Sequence, residues 1–155
     1  MSSQEFMREA IALAIENVAN GGGPFGCVIV KDGAIVARGV NRVTQTNDPT
    51  AHAEVVAIRN ACQALGSFQL AGCELYTSCE PCPMCMAAVY WARPDRVYFG
   101  ATKGDAAHAG FDDSMIYEEF ALPYEKRRIP VGQLGRDEAL KAFEAWAKSP
   151  NKIRY

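Results

Sequence analysis

The chain has 155 residues, 49% of them hydrophobic, and a formal net charge of −2. That length suits one domain with a sizeable core, and a weakly negative chain is poorly suited to gripping a phosphate backbone, so nucleic acid is not an expected partner. No apolar run reaches the roughly 18 residues of a spanning helix, and Glu5, Arg8, Glu9 and Glu16 interrupt any signal-peptide segment, so the expectation is a cytoplasmic protein without a membrane partner. In that compartment six cysteines point to metal, redox or buried thiols rather than disulfides.

In chain order, the spacing predicts a helix over Gln4–Asn20. Ser2 and Glu5 form its capping box, Phe6, Ala10, Leu13, Ala14 and Val18 its apolar face, and Gly21, Gly22 and Gly23 its exit. Cys27–Lys31 and Ala34–Val40 read as strands joined by an Asp32-Gly33 hairpin. A helix follows over Pro49–Leu65, with Asp48 as cap and Gly66 as exit. Glu74–Thr77 reads as a strand, Pro81–Ala92 as a helix and Arg96–Gly100 as a strand. Ser114–Phe120 and Arg136–Lys148 read as helices, the last with Leu140, Phe143, Trp146 and Ala147 on an apolar face. Lys126-Arg127-Arg128 lies among Glu118, Glu119 and Glu125 and reads as a solvated mixed-charge face. A hairpin followed by helical crossovers gives a mixed sheet with helices on both sides, and the expected fold is a three-layer α/β/α sandwich.

The chemistry concentrates in two short segments. His52 opens the second predicted helix within His52-Ala53-Glu54, and Cys82 and Cys85 open the third within Pro81-Cys82-Pro83-Met84-Cys85. Each set follows a connection into a helix N-terminus, where exposed N–H groups and the helix dipole favour thiolates. A C-x2-C pair with one histidine makes three zinc ligands and leaves a fourth position for water, the pattern of a catalytic site. Glu54 does not share a helix face with His52, so it is placed to move protons rather than to ligate. H-x-E followed by P-C-x-x-C is the combination used by zinc base deaminases. Cys79 extends the cysteine spacing and offers the alternative of a closed structural site, with Glu54 then idle. An iron–sulfur run would need a further Cys-Pro where Val89 and Tyr90 stand, and a thioredoxin-like pair would need no upstream His-x-Glu. Cys27, Cys62 and Cys73 read as small buried apolar residues.

On these residues the chain resembles the cytidine deaminase-like superfamily. Gly22–Gly26, Asn47–Glu54, Tyr76–Cys85 and Ala109–Ser114 together resemble its bacterial guanine-deaminating branch, over essentially the whole chain. The resemblance implies one domain over residues 1–155 and hydrolysis of guanine to xanthine and ammonia, with one zinc per subunit. It also implies a homodimer whose C-terminal segments exchange between subunits. Carried over, Asn41 would hydrogen-bond the purine, Phe25 would pack in the pocket and the Ala53 backbone would contact the base. Asp113 would be a second proton carrier, with Asp112 competing for the role. Tyr155 would close the partner's pocket, and Trp91 would line the pocket or pack a dimer face. The Thr-Ala-His-Ala-Glu and Cys-Glu-Pro-Cys pieces also resemble tRNA adenosine and cytosine deaminases. The alternatives are therefore a tRNA adenosine deaminase, a deaminase of another small aminated heterocycle such as cytosine or a triazine, and a non-catalytic zinc-stabilised module.

Overall fold

The structure is a computed structural model describing residues 1–155, which separate into two compact units, Met1–Asp113 and Ser114–Tyr155. The first begins with α1 (Ser3–Ala19), closed at its N-terminus by the expected Ser2–Glu5 capping box. Strands β1 (Gly26–Lys31) and β2 (Ala34–Val40) form the hairpin. Asp32 and Gly33 both take positive φ, +51° and +76°, the pairing that matches a tight hairpin to strand twist. There follow α2 (Val43–Thr46), α3 (Ala53–Leu65), β3 (Cys73–Cys79), α4 (Pro83–Ala92), β4 (Arg96–Ala101) and α5 (Lys103–His108).

The sheet order is β2-β1-β3-β4, antiparallel except where α4 carries the chain from β3 to a parallel β4. Alternation sorts the side chains between two cores. Val28, Val30 and Tyr76 pack with Phe6 and Ala10 of α1 on one face. Cys27, Ile29 and Leu75 pack with Ala53, Ala57 and Ala61 of α3 and Val89 and Ala92 of α4 on the other. The result is the expected three-layer α/β/α arrangement about a mixed sheet. The alanines of α3, spaced four apart, make a smooth seam that lets the helix backbone lie directly on β2. At the point of contact is Gly39, where a methyl group would overlap Ala53 O and Ala57 N and lie 2.9 Å from Ala57 Cα.

Several boundaries differ from the sequence reading. The second predicted helix begins at Ala53 rather than Pro49, because Asp48 does not cap it. Asp48 accepts instead from Thr50 N (2.9 Å) and Thr50 Oγ1 (2.7 Å), an Asx turn that spends the cap on a loop. Two short helices, α2 and α5, were not expected. On α1, Val18 is exposed and Asn17 takes the buried place. Cys27 and Cys73 are buried as expected, whereas Cys62 is half-buried against the core.

The second unit contains α6 (Ser114–Phe120), a 3-10 turn (Tyr124–Lys126) and α7 (Arg136–Lys148), none with a buried residue. Arg127 lies 4.6 Å over the Tyr124 ring, and Arg128 donates from its backbone to Glu119, which bears out the solvated mixed-charge reading of this stretch. The expected apolar face of α7 exists as a stripe, but Phe143 is 71% exposed.

Candidate metal centre and active site

The two motifs meet at adjacent helix starts. His52 is the N-cap of α3, in extended conformation, and Cys82 is the N-cap of α4, its Sγ accepting from the backbone N–H of Cys85 at 3.5 Å. Pro83 occupies the first turn of α4, where its fixed φ suits a helix start and its missing N–H costs nothing. His52 Nδ1 lies 3.5 Å from Cys82 Sγ and 3.4 Å from Cys85 Sγ, and all three ligand atoms fall within 4.8 Å of one another. Tetrahedral zinc with ordinary Zn–S and Zn–N bonds separates such atoms by about 3.6 Å. The donor set therefore fits zinc in chemistry and spacing, with three protein ligands.

Cys82 ionises most readily: its pKa is pushed down to about 4, first by the Cys85 thiol and then, against burial, by His52. The same pairing and burial push the Cys85 thiol up, and the hydrogen bond that the protonated imidazole donates to Cys82 raises His52. Cys79 stands apart. Burial pushes its pKa up to about 11 and its thiol donates to Thr102 O at 3.8 Å, so it completes no closed four-ligand site.

Glu54 is buried in the first turn of α3, 6% exposed, beside the ligands but not among them. Thr77 Oγ1, reaching down from β3, donates to Glu54 Oε1 at 3.2 Å. Burial raises the pKa of Glu54, outweighing the hydrogen bonds that favour its charged form. Asp113 is half-buried, and its pKa is raised by desolvation first and then by the nearby Cys82 charge, whereas Asp112 is exposed.

The other sequence candidates fall into two groups. Asn41, at the exit of β2, is half-buried; its N–H donates to Phe25 O at 3.2 Å and its Oδ1 accepts from Val43 N at 3.3 Å. Phe25 meets Phe111 edge to face, ring centroids 5.0 Å apart. Ala53 is fully buried at the start of α3. These residues belong to the first unit with the ligands. Trp91 is 62% exposed on α4, and Tyr155 ends the second unit, 74% exposed. Sequence reasoning missed Thr77, Asn17 and Phe111. Asn17 alone had a signal, an amide on an apolar helical stripe.

The fold and the ligand set define a zinc-dependent deaminase, and residues 1–101 match the family described as the cytidine and deoxycytidylate deaminase zinc-binding region. The chain belongs to that family. It is 58% identical to the guanine deaminase of Bacillus subtilis over the full length of both chains. The crystal structure of guanine deaminase from Bacillus subtilis superimposes with a TM-score of 0.98, covering 100% of this chain and 99% of that one. A guanine deaminase structure from Nitrosomonas europaea is 33% identical, with a TM-score of 0.70 over 72% of this chain and 65% of that one. The tRNA-specific adenosine deaminase of Agrobacterium fabrum is 51% identical over 89 residues, 56% of this chain and 59% of its own length.

Proposed function

We infer that the chain is a guanine deaminase, hydrolysing guanine to xanthine and ammonia. The observation that carries this is the full-length match, 58% identical overall, in an alignment that spans residues 114–155 as well as the metal motifs. The Agrobacterium adenosine deaminase matches over little more than half the chain.

His52, Cys82 and Cys85 would hold zinc, which as a Lewis acid makes water a usable nucleophile near neutral pH. The remaining work falls to side chains. Water adds its oxygen to the amine-bearing ring carbon, that carbon's bond to the exocyclic nitrogen breaks, and ammonia leaves. Glu54, whose burial raises its pKa towards the working pH, takes a proton from the attacking water on a carboxylate oxygen and returns it to a ring nitrogen. The added hydroxyl then gives up its remaining proton, which passes through Glu54 or Asp113 to the departing amine as the carbonyl of the product forms, with Asp113 favoured over Asp112 by its partial burial. Thr77 holds the Glu54 carboxylate in place through Oε1. Asn41 and Phe25, joined through their backbones, take the polar edge and the face of the purine, and the Ala53 backbone takes a further polar group.

The protein works as a cytoplasmic homodimer. A 13-residue helix such as α7 is marginal alone in water, and its Leu140, Phe143 and Trp146 stripe calls for an apolar partner surface. Exchange of the C-terminal segments supplies it, brings Tyr155 to the partner's pocket, and places Trp91 at the contact between subunits. A structure in which each C-terminus folds on its own subunit would refute the exchange.

The deciding experiment is ammonia and xanthine release from guanine by the purified, zinc-loaded chain. Turnover of cytosine or adenine with none of guanine would reject the substrate and keep the chemistry. The Agrobacterium likeness supplies the competing reading, which predicts a salt-sensitive shift with tRNA; a chain of net charge −2 should show none.

A further inference from the structure

Asn17 lies near the end of α1, on the buried stripe shared with Phe6, Ala10 and Ala14, and is 6% exposed. An amide on an apolar face costs free energy unless its donors find partners. Both hydrogens of Nδ2 are used, on Gly23 O at 2.8 Å and on Asn41 O at 2.8 Å. The backbone of the same residue accepts from Gly22 N at 2.8 Å. Asn17 thus fastens two segments far apart in sequence to one helix: the loop that delivers Phe25 and the end of β2 that delivers Asn41. The Asn41 side chain also lies directly against Gly23, only 3.2 Å from where a methyl group on it would stand.

We propose that Asn17 is a positioning residue for purine recognition, fixing the Asn41 amide and Phe25 from behind without touching substrate. This rests on the reading of Asn41 and Phe25 as the base-binding groups. A pocket that reads a small heterocycle through a few hydrogen bonds is sensitive to their placement, and a shift of about 1 Å can cost on the order of 100-fold in rate. Asn17→Asp keeps the shape but replaces two donors with acceptors facing two carbonyl oxygens. Gly23 and Asn41 then move, and Asn41 moves with its recognising amide.

The test is a double-mutant cycle on the zinc-loaded, full-length protein, combining Asn17→Asp with Asn41→Ala. Each change alone should raise KM for guanine about 10-fold, leaving kcat within about threefold, and because Phe25 is still displaced the double variant should exceed Asn41→Ala by about threefold, well short of 10-fold. Calorimetric affinity for hypoxanthine, a purine with no amine to release, should follow the same pattern. An equal factor for Asn17→Asp in both backgrounds would mean general structural damage and overturn the proposal. Should Asn17→Asp fail to fold, Asn17→Ala opens space for water at the two carbonyls and enters the same cycle; a parent-like KM there also overturns it. If the parent does not deaminate guanine, the substrate reading fails by itself, and the cycle is decided on hypoxanthine affinity. If Asn41→Ala changes neither KM nor affinity, or the parent does not bind hypoxanthine, the base-binding reading fails and takes the proposal with it.

Discussion

Gly39→Ala tests whether the contact between α3 and β2 sets the geometry of the catalytic site. The added methyl group would overlap Ala53 O and Ala57 N and lie 2.9 Å from Ala57 Cα, and all three atoms belong to the α3 backbone. No side-chain rotation relieves such a clash, so the start of the helix must retreat by about 1 Å, in an interior packed as densely as a crystal. Overpacking of this kind costs about 1–3 kcal/mol of stability. The functional cost is larger, because the displaced end carries His52 and Glu54. His52 Nδ1 sits 3.5 and 3.4 Å from the two thiols, close to the spacing a tetrahedral ion requires, so a shift of that size breaks the match. Misplacing a proton carrier by about 1 Å lowers kcat/KM on the order of 100-fold. Urea denaturation, zinc content after dialysis and guanine turnover measure the three consequences. Gly104→Ala is the control: it lies in α5 with its nearest neighbour at 3.6 Å, and it should be neutral or stabilise by up to about 1 kcal/mol. Gly39→Ala protein with parental stability, zinc content and turnover would refute the argument.

Three further predictions concern protons. Glu54→Gln should keep zinc and fold while lowering kcat by about 100-fold or more, as expected for loss of a general acid–base. Because burial raises the pKa of Glu54, the carboxyl favours folding below its unfolded value of 4.5 and loses that contribution as pH rises through the higher folded value. The zinc-free Glu54→Gln chain should therefore melt above the zinc-free parent at neutral pH, with the gap closing towards pH 4; an unchanged gap would show that the carboxylate is not desolvated. Zinc uptake should expel the Cys85 proton, since that thiol is pushed up while Cys82, at about 4, is already ionised. Below the raised pKa of His52 a second proton should leave with it, so affinity falls and proton release rises as pH drops. Calorimetry in buffers of different ionisation enthalpy counts these protons.

The parts of the site legible in the sequence were those whose partners are close along the chain or dictated by chemistry. His52-Ala53-Glu54 and Pro81 to Cys85 declare themselves by spacing, and Asp32-Gly33 by the φ it must adopt. The start of α3 was misread because Asp48-Pro49 carries every local mark of a helix N-terminus, yet the aspartate is spent on Thr50. Thr77 and Asn17 were missed for a different reason. The partner of Thr77 lies 23 residues away and the farther partner of Asn17 lies 24 away, and both partners of Asn17 are backbone carbonyls, which every residue type offers. Cys79 shows the converse: its spacing suggested a ligand, while strand geometry turned its thiol to Thr102.

The ligands come from the starts of two helices and are separated by 30 residues of chain, with the whole of α3 and β3 between them. An ion held there closes that stretch into a loop, much as a crosslink would. Closing a loop of this size by a disulfide stabilises by roughly 3–4 kcal/mol in the chain-entropy description, a substantial share of a small domain's total stability. Metal binding should thereby raise the folding stability of the polypeptide as well as supply its chemistry. The zinc-free chain should therefore open more often, and be cut sooner by added protease, than the zinc-loaded chain.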